Sequence, residues 1–190
     1  YFNDSINELE RFLDKYKNHP NTDYAYYLLA VCHYNQIVDE KKDLGEIVKS
    51  KEYFNLILEE FPNTDFAEDA MFKLELIQEI LASKELYLAN YYLDREKWIP
   101  AINRYKKIVD QYDTTIFIEE ALYRLVEINY KLGLVDEAKK YSVLLGYNYQ
   151  SSEWYEESYK ILNKNYSKKK IEKNTQTEKT LLKKFQKLFE

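Results

Sequence analysis

The sequence holds little of what breaks or staples a chain. Three of its 190 residues are glycine and three are proline. So few turn-formers exclude a sandwich or barrel of many short strands and favour long helices with few breaks. A single cysteine, Cys32, excludes an internal disulfide. The two histidines, His19 and His33, have no partner at metal-ligand spacing. There is no G-x-S-x-G, no glycine-rich phosphate loop and no H-E-x-x-H. Lacking a nucleophile, an acid–base constellation or a cofactor loop, the chain reads as a binding protein with neither catalytic activity nor cofactor. No apolar run approaches the ~20 residues a membrane-spanning helix needs. Arginine is scarce, four residues among 28 basic ones. With abundant Asn, Ile and Tyr, this reflects codon bias rather than function.

What is present is 45% hydrophobic and 32% charged, a composition that can bury a core. Aromatics reach 16%, with 20 tyrosines. A small core does not absorb that many, which places some tyrosine on a working surface. The net charge is −5, unevenly spread. Residues 164–190 hold nine lysines and three glutamates, leaving −11 on residues 1–163. An acidic body lacks the phosphate-neutralising charge that nucleic-acid binding requires.

The chain repeats itself. Pro20-Asn21-Thr22-Asp23-Tyr24-Ala25 recurs as Pro62-Asn63-Thr64-Asp65-Phe66-Ala67, and Phe61–Ala70 resembles Tyr112–Ala121. Upstream of each lies one helical face: Ser5, Leu9, Phe12, Leu13, Tyr16; then Ser50, Phe54, Ile57, Leu58, Phe61; then Ala101, Tyr105, Ile108, Val109, Tyr112. The spacing of Leu122, Leu125, Val126, Gly133 and Ala138 follows the tetratricopeptide (TPR) pattern. The expected fold is all-α, a TPR superhelical solenoid of antiparallel helix pairs over residues 1–163. Two departures from the 34-residue period stand out. A charged stretch, Val38–Gly45, lengthens one repeat. No proline or glycine occurs from Asp65 to Asp94. That run predicts one extended helix with Asp65 and Glu68 at its N-terminal cap; two helices broken near Ala82-Ser83 are the alternative.

Beyond the repeats, Ser152–Leu162 reads as a closing helix with Trp154, Tyr155 and Tyr159. Residues 164–174 read as a polar linker. Thr175-x-x-Glu178 is a capping box opening a basic amphipathic helix over 175–190, with Leu181, Leu182, Phe185, Leu188 and Phe189 on one side.

Several stretches resemble one TPR family, the outer-membrane assembly lipoprotein BamD. They are Asp65–Ala70, Leu81–Leu86, Ala89–Arg95, Ala101–Tyr105, Glu120–Leu122, Leu132–Leu134 and, upstream, Asn18–Tyr27. Asp113 departs from the family, standing where a proline is usual after Tyr112. The resemblance implies a scaffold on the periplasmic face of a Gram-negative outer membrane. It implies a lipidated cysteine and a further repeat before Tyr1. Its implied partners are the periplasmic domains of the BamA-type subunit, other assembly lipoproteins, and unfolded outer-membrane proteins. A TolA-binding type of envelope adaptor is the alternative.

In a TPR the inner helix of each pair exposes one edge to the concave surface. Counting from the aligned positions, that edge holds Tyr24, Tyr27 and Tyr34, then Leu86, Asn90 and Leu93, then Tyr123, Glu127 and Tyr130. The first trio is the candidate site for an extended peptide, tyrosine offering rigid apolar area with a hydroxyl handle. The last trio is the candidate partner-docking surface.

Overall fold

The computed structural model describes residues 1–36 and 44–163. Most of the charged insertion, the linker 164–174 and the amphipathic segment 175–190 lie outside the described residues. Among the described residues there are eight helices and no strand. They are α1 (Phe2–Lys15), α2 (Thr22–Tyr34), α3 (Gly45–Glu60), α4 (Asp65–Leu93), α5 (Trp98–Gln111), α6 (Ile118–Lys131), α7 (Val135–Asn148) and α8 (Glu153–Leu162).

Each helix packs on the next in sequence, α2 also meets α4, and α6 also meets α8. This is the antiparallel solenoid that the repeats predict: α2, α4, α6 and α8 are inner helices, and α1, α3, α5 and α7 are outer ones. The aligned outer-helix positions explain the packing. Ser50 and Ala101 are fully buried, as are Phe54 with Ile57 and Tyr105 with Ile108. The small residue admits a neighbouring helix, and the large ones fill its grooves. The Ser50 hydroxyl donates to the Ala30 carbonyl at 3.0 Å, so even the polar small residue is satisfied. α7 carries the same register in miniature, with Ala138, Ser142 and Leu145 buried. α1 differs. Its Ser5 is exposed and Tyr16 is 48% exposed. Among the described helices α1 packs chiefly on α2, so Leu13 stays buried with Leu9 and Phe12 packed beside it, while the two ends of the face, Ser5 and Tyr16, are left open.

The breaker-free run is one helix. α4 has 29 residues without interruption, about 44 Å at ~1.5 Å per residue. Ala82 within it is fully buried, and the chain runs helically through Ser83. The N-terminal cap is one residue earlier than expected. The Thr64 hydroxyl accepts from the Ala67 amide at 3.3 Å, while Asp65 and Glu68 fall in the first turn, where they complement the helix dipole. One helix thereby serves two repeats: its first half packs on α2 and α3, its second half on α5. At the α5 contact, fully buried Ala89 and Ala101 let the backbones approach closely, and Tyr105 donates its hydroxyl to Asn90.

Two turns share one geometry. After α4, Lys97 N–H donates to Tyr92 C=O at 2.9 Å; after α6, Leu134 N–H donates to Asn129 C=O at 2.8 Å. Each places one residue in the left-handed region, Glu96 (φ 54°) in the first and Gly133 (φ 78°) in the second.

Candidate functional site

The tyrosines of α2 face α4, and the two inner helices run side by side in one direction. Tyr24 lies 5.3 Å and Tyr27 5.1 Å, between ring centroids, from Phe66 near the start of α4. Farther along, the Lys73 ammonium sits 5.2 Å from the Tyr34 ring centroid, a cation–π contact. Tyr24 and Phe66 occupy the same position of the duplicated Asp-aromatic-Ala motif, which is why they meet in adjacent repeats. The seam is thus a strip of aromatic rings continued by a cation.

Its members differ in how firmly they are held. Tyr24 is 45% exposed and is the open end of the strip. Tyr27 is half-buried against Phe54 and Phe66, and its hydroxyl donates to Asp69 Oδ2 at 2.8 Å. Burial, reinforced by the Asp69 carboxylate, pushes the Tyr27 hydroxyl pKa from 10 to about 12. Tyr34 is half-buried. The repeat pattern brings the three tyrosines onto one seam but leaves Asp69 and Lys73 unnamed. Both stand on the α2-facing side of α4, a position that only the pairing of inner helices reveals.

On the middle helix, Leu86 and Leu93 pack against the main core, and Asn90 accepts the Tyr105 hydrogen bond. These positions hold α5 to α4. Nearby, Glu85 is a buried carboxylate, 5% exposed, paired with Arg104 at 2.9 Å and Lys107 at 2.6 Å on α5. Arg104 accordingly has a structural partner.

The second candidate trio lies on α6. Glu127 accepts from Arg124 at 2.9 Å and from Lys131 at 2.8 Å. Burial works to raise the Glu127 pKa, but these two cations prevail and hold it below the usual carboxylate range. Tyr123 stacks on Trp154 of α8, with centroids 5.1 Å apart, and the Arg124 guanidinium lies against both rings. Burial foremost, then Glu127, raises the Tyr123 hydroxyl pKa. Tyr130 is half-buried, next to Lys131 at the helix end. Trp154 is the residue that sequence reasoning assigned only to a closing helix, yet it is part of this surface.

His33, read as partnerless, is buried and stacks on Tyr53, with its Nδ1 2.6 Å from Glu46 Oε2 on α3. Among the described residues no group of three metal-ligating side chains forms, and no helix is long and apolar enough to cross a membrane.

Fold and site together define a helical-repeat protein whose inner helices carry an aromatic seam at one end and an ion-paired aromatic cluster at the other. The chain matches the model of the YfiO outer membrane lipoprotein family over residues 1–145. It is 40% identical over 165 residues to the outer membrane protein assembly factor BamD of Rickettsia prowazekii, covering 87% of this chain and 65% of that relative. It is 35% identical over 162 residues to the factor of the same name from Caulobacter vibrioides, covering 85% and 53%. With the Neisseria gonorrhoeae factor it shares 32% over 133 residues, 65% of this chain and 49% of that relative. The chain belongs to the YfiO/BamD family of outer membrane lipoproteins. It spans between about half and two thirds of the length of these relatives.

Proposed function

We propose that this chain is a scaffold of the outer-membrane protein assembly apparatus. In this reading it works at the periplasmic face of the outer membrane, held by a lipid anchor outside this sequence. It binds protein rather than transforming a substrate: the periplasmic domains of a BamA-type subunit, other assembly lipoproteins, and unfolded outer-membrane proteins. The observation that carries the proposal is the family match, which runs unbroken from α1 into α7 and so takes in both inner-helix surfaces.

The two surfaces suit different ligands. The Tyr24–Tyr27–Tyr34 seam is an aromatic strip with one exposed ring, suited to an extended peptide that carries aromatic residues. The Tyr123–Glu127–Tyr130 surface is braced by ion pairs and by Trp154, a rigid face suited to a folded domain. A peptide on the seam leaves hydroxyl and carboxylate groups for its backbone; a folded partner on α6 meets preorganised side chains.

Calorimetric titration of two ligands tests the division. One is the C-terminal peptide of an unfolded barrel protein; the other is the BamA-type periplasmic region. Tyr24→Ala with Tyr27→Phe, which keeps the packed ring, is expected to weaken the peptide at least about tenfold, roughly 1.4 kcal/mol, and to spare the domain. Tyr123→Ala with Glu127→Ala is expected to do the reverse. Equal losses of both ligands in both variants, with folding intact, would show one continuous groove instead.

A further inference from the structure

α4 is longer than its neighbours, and one flank of its first half is uncovered. Along the second half, Ala82 and Ala89 are fully buried on the side that meets α5. Seven residues before Ala89 and Ala82 bring nearly the same side round again, and Gln78 and Met71 continue that flank toward the start of the helix. The next hairpin stops at Gln78. There the α5–α6 turn rests on α4: the Thr114 hydroxyl donates to Gln78 Oε1 at 3.3 Å, and Ile116 N–H donates to Glu79 Oε1 at 3.2 Å. Before that point α4 has α2 on its other flank and α3 behind it, and none of the described helices on this one. The result is a step. Met71 and Phe72 lie at its foot, 55% and 56% exposed, and Ile116 stands at its lip, 79% exposed. Three large apolar side chains gathered at one step are a patch, not the scattered exposure of an ordinary surface.

We propose that this step is a docking site for a basic amphipathic helix of another protein. Charge selects the sign of the partner. Glu68 and Glu75, one turn either side of Phe72, are exposed and form no ion pair among the described residues. The cation of this stretch, Lys73, is turned to the opposite flank, against Tyr34. Apolar anchors flanked by lysine or arginine therefore complement the step, while nucleic acid and anionic lipid are repelled by it. Spacing selects the conformation. Ile116 rests on Glu79, seven residues beyond Phe72, so the two apolar ends of the step lie about 10 Å apart along α4 at ~1.5 Å per residue. A helix laid along α4 spans that distance from i to i+7, with i+4 between. Same-face residues of a strand fall at roughly 7 and 13 Å and miss it. Width agrees, since the flank is left open where a stacked helix would pack at about 8–10 Å. The site is separate from the tyrosine seam, which uses the α2 side of α4, and does not depend on the function proposed for that seam.

Fluorescence titration of a labelled probe onto the full chain tests this. The probe is an alanine-based helical peptide of about 15 residues, with leucine at i, i+4 and i+7 and lysine beside them. It is expected to bind with a Kd of about 100 μM or tighter. Met71→Ser with Phe72→Ser should weaken it at least about tenfold, and Glu75→Lys at least about threefold. These side chains are exposed, so the melting temperature should hold; if the paired substitution lowers it, Phe72→Lys alone gives the same reading. Tyr24→Ala with Tyr27→Phe, on the other flank, should leave the affinity within about twofold. No binding at roughly 1 mM probe would overturn the proposal, as would affinity unchanged by the Met71 and Phe72 substitutions. A probe with its leucines scattered over all faces that binds equally well would overturn it in favour of charge alone. Leu181→Ser with Phe185→Ser tightening the probe at least about tenfold would overturn it in favour of this chain's own 175–190 segment as the occupant. A dimer in sedimentation that the Met71 and Phe72 substitutions abolish would overturn it in favour of a second copy.

Discussion

Tyr27 shows how one side chain ties two repeats together. Its ring packs on Phe54 and Phe66 while its hydroxyl reaches Asp69, so it contacts both α3 and α4 from α2. The folded state holds this hydroxyl protonated up to about pH 12, against 10 in an unfolded chain. Between those values the unfolded chain has released the proton and the folded one retains it, so stability falls as pH rises. Below pH 10 the contribution is complete; above about 12 it is gone, and a phenolate would face the Asp69 carboxylate. Thermal melts of Tyr27→Phe should therefore decline less steeply from pH 10 to 12 than those of the unsubstituted protein. A second residue-level expectation concerns Glu96, held at φ 54° in the turn where its counterpart is Gly133. A side chain in the left-handed region costs roughly 1–2 kcal/mol, partly offset by the greater unfolded-state freedom of glycine. Glu96→Gly should raise stability by up to about 1 kcal/mol in a urea denaturation series. At this scale the sequence was half legible. Tyr24 and Phe66 could be matched because the motif carrying them is duplicated. Asp69, Lys73 and the Glu46 partner of His33 were not, since each pairing depends on which helix lies beside which.

Among the elements, α4 was the most legible and its neighbours less so. A breaker-free run is a local property, and so is the length excess over the repeat. The cap was misplaced by a residue because Thr64, Asp65 and Glu68 all suit a helix start; the hydrogen bond from Ala67 N–H decides for Thr64. The abutting pair of shorter helices failed for a physical reason. Ala82 and Ala89 are fully buried in the main core and Ser83 is half-buried, so core packing continues across the proposed break. Ser83→Pro removes one internal hydrogen bond and clashes with the preceding turn, at a cost of about 3 kcal/mol or more. In a calorimetric melt it is expected to replace one transition by two, with α1–α3 separating from α5–α8. α8 was legible as a helix, with Ser152 as its cap. Its stacking of Trp154 on Tyr123 was not, because nothing periodic links residues in different repeats at that spacing.

Across the whole molecule the core is not one body. Ile6, Leu13, Ala25 and Leu29 form a cluster under α1 and α2, separate from the main cluster and from Ile118, Leu122 and Leu145 under α6 and α7. A solenoid built this way loses stability where it is damaged. Leu13→Ala, at 8% exposure, should cost about 2–4 kcal/mol and accelerate amide exchange in α1 and α2. Exchange in α6 and α7 should not change; a uniform acceleration would show a single cooperative unit. The all-helical repeat architecture was legible because it arises from local periodicity. The exposure of Ser5 and Tyr16 on α1 was not, because it depends on what lies alongside.

The continuous backbone of α4 has a mechanical consequence. Stacked hairpins joined by turns flex at every joint, so a force applied to one end is dissipated before it reaches the other. A single helix about 44 Å long belonging to two successive repeats removes the joint between them and acts as a strut. A tug on the Tyr24–Phe66 end is then carried along a stiff rod to the α5 contact instead of being lost as bending. Displacement at that end is delivered at the α5 contact with little lag and little attenuation.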